Sequence, residues 1–146
     1  MNTEKNIKTL IVKKPLKLDC GKTINDFPIA YETYGTLNSK KDNAILVFHA
    51  LTGDQFVTGI NPVTKKEGWW SYAVGPGKAI DTNKYFVICS NVIGGCMGSY
   101  GPSHINPVTK KNFGTNFPVI TINDMVNAQY NLLEHFGIDK LFSITG

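Results

Sequence analysis

Apolar and polar residues follow three rhythms along this chain. The first is unbroken: Ala44-Ile-Leu-Val-Phe48 runs into His49 and turns at Thr52-Gly53, and Tyr85-Phe-Val-Ile-Cys89 runs toward Gly94-Gly-Cys-Met-Gly-Ser-Tyr-Gly101. Continuous apolar runs of strand length, closed by turn residues, predict strands buried on both faces of a parallel sheet. Both open onto one glycine-rich edge, where open α/β sheets keep their ligands. The second rhythm alternates. Leu10-Ile-Val12, Leu16-Lys-Leu18 and Ile29-Ala-Tyr-Glu-Thr-Tyr34, with turn chemistry at Cys20-Gly-Lys22 and Asn25-Asp26, predict an antiparallel hairpin or meander at the sheet edge. The third is helical. Met125, Ala128, Leu132 and Phe136 recur at helical spacing behind Thr121-Ile-Asn-Asp124, a capping box with Asp in place of Glu, and ahead of Gly137, a C-terminal cap. Such a helix, about 21 Å long at ~1.5 Å per residue, is a crossover between parallel strands, and Leu141-Phe-Ser-Ile-Thr145 is then the third of them.

Between the two unbroken runs the chain is rich in Gly and Pro. Gly68-Trp69-Trp70 opens a segment that predicts a short helix through Val74, ended by Gly75-Pro-Gly77, with one tryptophan packed inward and the other lining a cleft or covering a loop. Ile60-Asn-Pro-Val-Thr-Lys-Lys66 recurs unchanged as Ile105-Asn-Pro-Val-Thr-Lys-Lys111. The flanks of the two copies differ completely, so two similar Asn-Pro turns with exposed lysines are expected, not a repeat architecture. The pattern as a whole reads as one α/β domain, with residues 1–43 as edge strands and connection and residues 44–146 as the start of a parallel sheet.

Composition narrows the function classes. With 146 residues, 42% of them hydrophobic, the chain has room for one core. The net charge of +4 comes from lysines scattered in pairs, which is a solvated surface and not a nucleic-acid footprint. Cys20, Cys89 and Cys96 lack metal-ligand spacing and form no disulfide framework. The start, Met1-Asn-Thr-Glu-Lys-Asn-Ile-Lys8, has no signal-peptide core, and no stretch approaches the ~20 apolar residues of a membrane span. A cytoplasmic protein without nucleic-acid or membrane partners is the expectation.

Candidate chemistry is sparse. Met97-Gly-Ser-Tyr-Gly101 misses the Gly-x-Ser-x-Gly nucleophile elbow by one residue, and Pro102 follows where the elbow needs a helix, so Ser99 reads as a loop residue. Cys96 has no recognisable base around it. His135 sits at the C-terminal end of the predicted helix, where the dipole favours a cation, and His104 lies in a Pro-bounded loop. His49 is placed differently, at the end of the central strand. It can act on a proton there, or shape the loop by a hydrogen bond. Gly77-Lys78-Ala79 and the glycines at 95, 98 and 101 fail both phosphate-binding fingerprints.

Taken together, His49-Ala-Leu-Thr-Gly53, Gly68-Trp-Trp70, Gly75-Pro-Gly-Lys-Ala-Ile-Asp81, Tyr85-Phe-Val-Ile-Cys-Ser-Asn-Val92, Gly94-Gly-Cys96 with Gly98-Ser99, Gly101-Pro-Ser103, Ile105-Asn-Pro107 and Asp124-Met-Val126 resemble the homoserine O-acetyltransferase family of the α/β-hydrolase fold. The match runs in order from about residue 30 to Gly146. The resemblance implies an α/β-hydrolase sheet, antiparallel edge strands followed by parallel strands with crossover helices. It also implies acetyl transfer from acetyl-CoA to the hydroxyl of L-homoserine, in methionine biosynthesis, through a Ser-His-Asp triad and an acyl-enzyme. Acetyl-CoA enters as co-substrate, no cofactor or metal is expected, and the full-length enzyme is expected to be a homodimer.

Gly146 matches the first glycine of the family's Gly-Gly-Ser-Met-Gly elbow. The nucleophile is therefore expected two residues further on, the triad Asp and His and the family's helical lid beyond it, and the chain alone is expected to be an inactive N-terminal portion of the domain, truncated at the elbow. What remains is one half of an oxyanion site, assigned by similarity to the backbone N–H of Leu51. Alternatives are a related acyltransferase making O-acetylserine or O-succinylhomoserine, an ester hydrolase of the same fold, or a non-catalytic interaction module that pairs through its last strand.

Overall fold

The computed structural model describes residues 7–146; the first six, part of the segment expected to hold no signal peptide, lie outside the described residues. β1 (Lys8–Val12) leads into a small antiparallel hairpin, β2 (Leu16–Lys17) with β3 (Thr23–Ile24), and the chain returns as β4 (Phe27–Tyr34), antiparallel to β1. This is the meander that the alternating pattern predicts. β5 (Ala44–Val47) is the first unbroken apolar run. A long connection carrying the short parallel pair β6 (Val74–Gly75) and β7 (Ile80–Asp81) brings the chain to β8 (Phe86–Ser90), the second run. A crossover containing α1 (Ile122–Phe136) then delivers β9 (Ser143–Thr145).

In space the five-stranded sheet is ordered β1-β4-β8-β5-β9, with β5 parallel to both β8 and β9. The periodicity of two along β5 divides its side chains between two layers. Ala44 and Leu46 pack with Phe86, Ile88, Leu132 and Leu133 beneath α1, whereas Ile45 and Val47 pack with Val57, Val74, Val87 and Cys89. A strand covered on both sides has no use for alternating polar residues, which is why its sequence is unbroken.

The second layer is not helical. Residues 68–74 form turns, contrary to the short helix predicted there. Gly68 N–H donates to Gly59 O (2.7 Å) and Trp70 N–H to Val57 O (2.8 Å), which ties the start of the segment to residues 57–59; Ala73 and Val74 N–H both close on Trp70 O (2.9 and 3.0 Å), and Ala73 O is taken by Ile80 N–H (2.9 Å), so single turns form and no helix propagates. A Cβ at Gly68 would stand 2.5 Å from Thr58 Cα, which explains the glycine. Trp69 and Trp70 stack at 5.5 Å; Trp70 packs against the core, and Trp69 covers the neighbouring loop through Nε1–H to Asp54 O (2.9 Å). Among the described residues the parallel crossovers therefore contain one α-helix, where crossover helices were expected in the plural.

α1 forms as its caps predict. Thr121 Oγ1 accepts from Asp124 N–H, the Asp124 carboxylate accepts from Thr121 N–H, and Gly137 takes the left-handed conformation at φ 64°. The Asp19 carboxylate also receives the Thr121 hydroxyl and the Asn123 amide, which hold its pKa below the usual carboxylate value. The two Asn-Pro segments are closed turns with exposed lysines, as expected.

Candidate functional site

Parallel pairing sets where the chemistry lies. Val47 is opposite Cys89 and Thr145, so the C-terminal ends of β8, β5 and β9 reach one edge together. Phe48 N–H donates to Thr145 O (2.9 Å), and a Cβ on Gly146 would stand 2.5 Å from Phe48 O. The loop His49–Gly53 is therefore immediately beside the chain leaving β9.

That loop is a tight turn. Gly53 N–H donates to Ala50 O (2.7 Å), and the ring of His49 reaches the same carbonyl through Nδ1, also at 2.7 Å. A carbonyl only accepts, so Nδ1 carries the proton. Nε2 then accepts from Val92 N–H and from the Asn91 side chain, both at 3.3 Å. Leu51, at the tip, is 90% exposed, and among the described residues its N–H has no acceptor. It lines a cleft of about 360 Å³ shared with Val92, Gly94, Gly95, Phe117, Ile120 and Met125.

The glycine-rich loop after β8 folds around Asn91, which carries no signal in the sequence beyond its place at the end of an apolar run. Its side chain is 2% exposed; Oδ1 accepts from Met97 N–H (3.0 Å), and its backbone N–H donates to Ala30 O (2.8 Å). A Cβ at Gly95 would stand 2.8 Å from Asn91 Oδ1, and one at Gly101 would stand 2.3 Å from Gly95 O, so this winding requires glycine at both positions. Ser99 is structural: its hydroxyl donates to Asn91 O and accepts from Ala30 N–H (2.9 Å), and it is 1% exposed.

The remaining candidates are not joined to this loop. Cys96 and His104 line a separate open pocket of about 260 Å³, and among the described residues no hydrogen bond connects them; His104 Nδ1 instead accepts from Gly101 N–H (3.2 Å). His135 is exposed in the last turn of α1. Cys89 lies under the site, where burial, reinforced by the Asp54 carboxylate, pushes its thiol up to about 12. Asp54 was not singled out by the sequence. Its carboxylate accepts from Phe56 N–H (2.8 Å) and Asn61 Nδ2 (2.9 Å), tying the chain that leaves the tight turn to the layer above it. No group of three or more His, Cys, Asp or Glu side chains among the described residues is arranged to hold a metal, and no described helix is long and apolar enough to cross a membrane.

No family model matches the chain. Across all 146 residues it is 76% identical to a homoserine O-acetyltransferase of Pelagibacter ubique, and over 133 residues it is 63% identical to one of Mesorhizobium japonicum. It spans 39% of the length of the first relative and 34% of the second. Among solved structures it resembles esterase E22 (36% identity, TM-score 0.85) and the homoserine O-acetyltransferase from Bacillus anthracis (35%, 0.86), in each case over 95% of this chain and 39% of the other. The fold is thus the N-terminal part of an α/β-hydrolase, and the resemblance carried by the motifs extends over the whole sequence.

Proposed function

We propose that this chain forms the N-terminal part of a homoserine O-acetyltransferase and supplies one donor of its oxyanion hole, the Leu51 N–H. The observation that carries the reading is the Leu51 N–H, without an acceptor among the described residues, in a tight turn that follows Phe48, whose N–H donates to Thr145 O, in a chain that aligns throughout with enzymes of that name. In the proposed reaction a serine delivered just after β9 attacks the thioester carbonyl of acetyl-CoA. The carbonyl oxygen becomes an oxyanion, coenzyme A leaves as its thiol, and the hydroxyl of L-homoserine then takes the acetyl group from the serine ester. Leu51 N–H donates to that oxyanion in both steps, a contribution worth ~3 kcal/mol in the transition state when it is aligned. The nucleophile, its histidine and its aspartate would come from residues other than these 146, so the isolated stretch is expected to be inactive.

The similarity to esterase E22 supports a second reading, in which water takes the acyl group. One assay set separates the two readings. The full-length protein carrying these residues is given acetyl-CoA or succinyl-CoA, with L-homoserine, L-serine or water alone as acceptor, and coenzyme A thiol release is followed together with product mass. O-Acetylhomoserine as the main product supports the proposal. Succinyl transfer, O-acetylserine or hydrolysis alone would replace it with the corresponding alternative, and acetylation by the isolated 146-residue stretch would overturn the assignment of roles.

A further inference from the structure

We propose that His49 and Asn91 are positioning residues that aim the Leu51 N–H, an inference that rests on Leu51 being the oxyanion donor. The link is a single peptide unit. Ala50 C=O and Leu51 N–H belong to the same planar trans amide and point in opposite directions, so whatever fixes the carbonyl fixes the N–H. The Ala50 carbonyl is held from two sides, by Gly53 N–H and by His49 Nδ1–H, each at 2.7 Å. With its carbonyl clamped within the turn, the amide presents the Leu51 N–H on the opposite side, at the exposed tip of the loop.

The clamp depends on which ring nitrogen of His49 carries the proton, and the tautomer is set from 42 residues away. Asn91 Oδ1 accepts from Met97 N–H, which settles which end of that amide is nitrogen; Nδ2 must therefore face His49 Nε2. Val92 N–H, also aimed at Nε2, imposes the same polarity. Two donors on Nε2 leave the proton on Nδ1, where Ala50 O needs it. Asn91, around which the glycine-rich loop is wound, thereby holds the oxyanion loop in its working orientation from a buried position. Sequence alone leaves His49 open between moving a proton and shaping a loop; the hydrogen-bond polarity favours the second and extends it to a relay.

Two variants of the full-length protein separate aiming from anchoring. In His49→Asn the amide nitrogen takes the place of Nδ1 and can still clamp Ala50 O, but the Nε2 acceptor is gone. In His49→Gln the side-chain oxygen can take the place of Nε2, and the clamp is gone. The expected result is a kcat about 10²-fold below wild type for His49→Gln, with KM for acetyl-CoA within about twofold, and recovery to within about fivefold for His49→Asn. A residue that merely stitches β5 to the loop after β8 would give the reverse order, and that order, or equal losses, would overturn the proposal.

Nitrogen-15 NMR of the histidine ring reads the tautomer without any turnover. An Nδ1–H signal is expected, and an Nε2–H form would overturn the relay while leaving acetyl transfer intact. A wild-type protein inert toward acetyl-CoA would instead remove the reading on which the relay rests.

Discussion

The two copies of Ile-Asn-Pro-Val-Thr-Lys-Lys adopt the same conformation and are attached to the molecule differently. In each, the Asn N–H donates to the second Lys O (2.8 Å) and the first Lys N–H returns to the Asn O (2.9 Å). The Asn Oδ1 accepts from the Val N–H two residues on, at 2.8 Å in one copy and 2.9 Å in the other. The first Lys sits in the left-handed region, at φ 62° for Lys65 and 58° for Lys110. Seven residues thus dictate their own turn whatever surrounds them. Their value to the fold is decided outside the turn: Asn61 is buried and gives Nδ2 to Asp54, while Asn106 donates its amide to no group among the described residues. Local sequence sets shape, and one distant carboxylate turns one copy into a fastening for the loop that leaves His49–Gly53.

The contrast breaks most severely at Asp54. Asp54→Ala removes the acceptor of Phe56 N–H and Asn61 Nδ2 together, and a loss of ~3 kcal/mol is expected by urea unfolding of the full-length protein. The same change should expose Cys89. In the intact fold its raised pKa favours the thiol. Stability from that group is fully present below the ordinary thiol value of 9.0 and is lost as pH rises toward about 12. Alkylation at neutral pH should therefore spare Cys89 and modify the exposed Cys20 and Cys96, and should reach Cys89 once Asp54 is removed.

Next in size, Asn61→Ala should cost ~2 kcal/mol and Asn106→Ala ~1 kcal/mol, the difference being the bond to Asp54. Equal losses would show that the anchor contributes nothing. The smallest effect should be shared: glycine at Lys65 or Lys110 relieves the same left-handed strain, and each should stabilise by ~0.5 kcal/mol. A gain at one loop alone would mean that the two turns are not equivalent.

The same division between local and distant causes explains what could be read from the chain. Ala44–Val47 and Phe86–Ser90 are legible because burial on both faces imposes a continuous apolar run, and α1 because Thr121, Asp124 and Gly137 cap it with their own atoms. The turns at Gly68–Val74 are not legible as such, since what stops a helix there is the pairing of Ala73 and Val74 with Ile80, which no local propensity encodes. In the site, the position of His49 at a strand end was readable. Its tautomer was not, because the groups that set it arrive with Asn91 and Val92. Asp54 is silent in the sequence for a similar reason: a single carboxylate beside Gly53 has no signature until the residues it receives are in place.

The order of strands in the sheet has a consequence for how the protein is made. β8 lies between β4 and β5, so two strands synthesised early can meet only through one synthesised later. Roughly 40 residues separate the end of β5 from the start of β8, which at translation speeds of ~5–20 residues per second is about 2–8 s on the ribosome. For that interval four residues that end fully buried, Ala44 to Val47, have no permanent neighbour on the β4 side. The nascent chain therefore passes through a window in which its most apolar segment is a client for trigger-factor-like holdases, and slowing or speeding codons between Phe48 and Tyr85 should change soluble yield without changing a single amino acid.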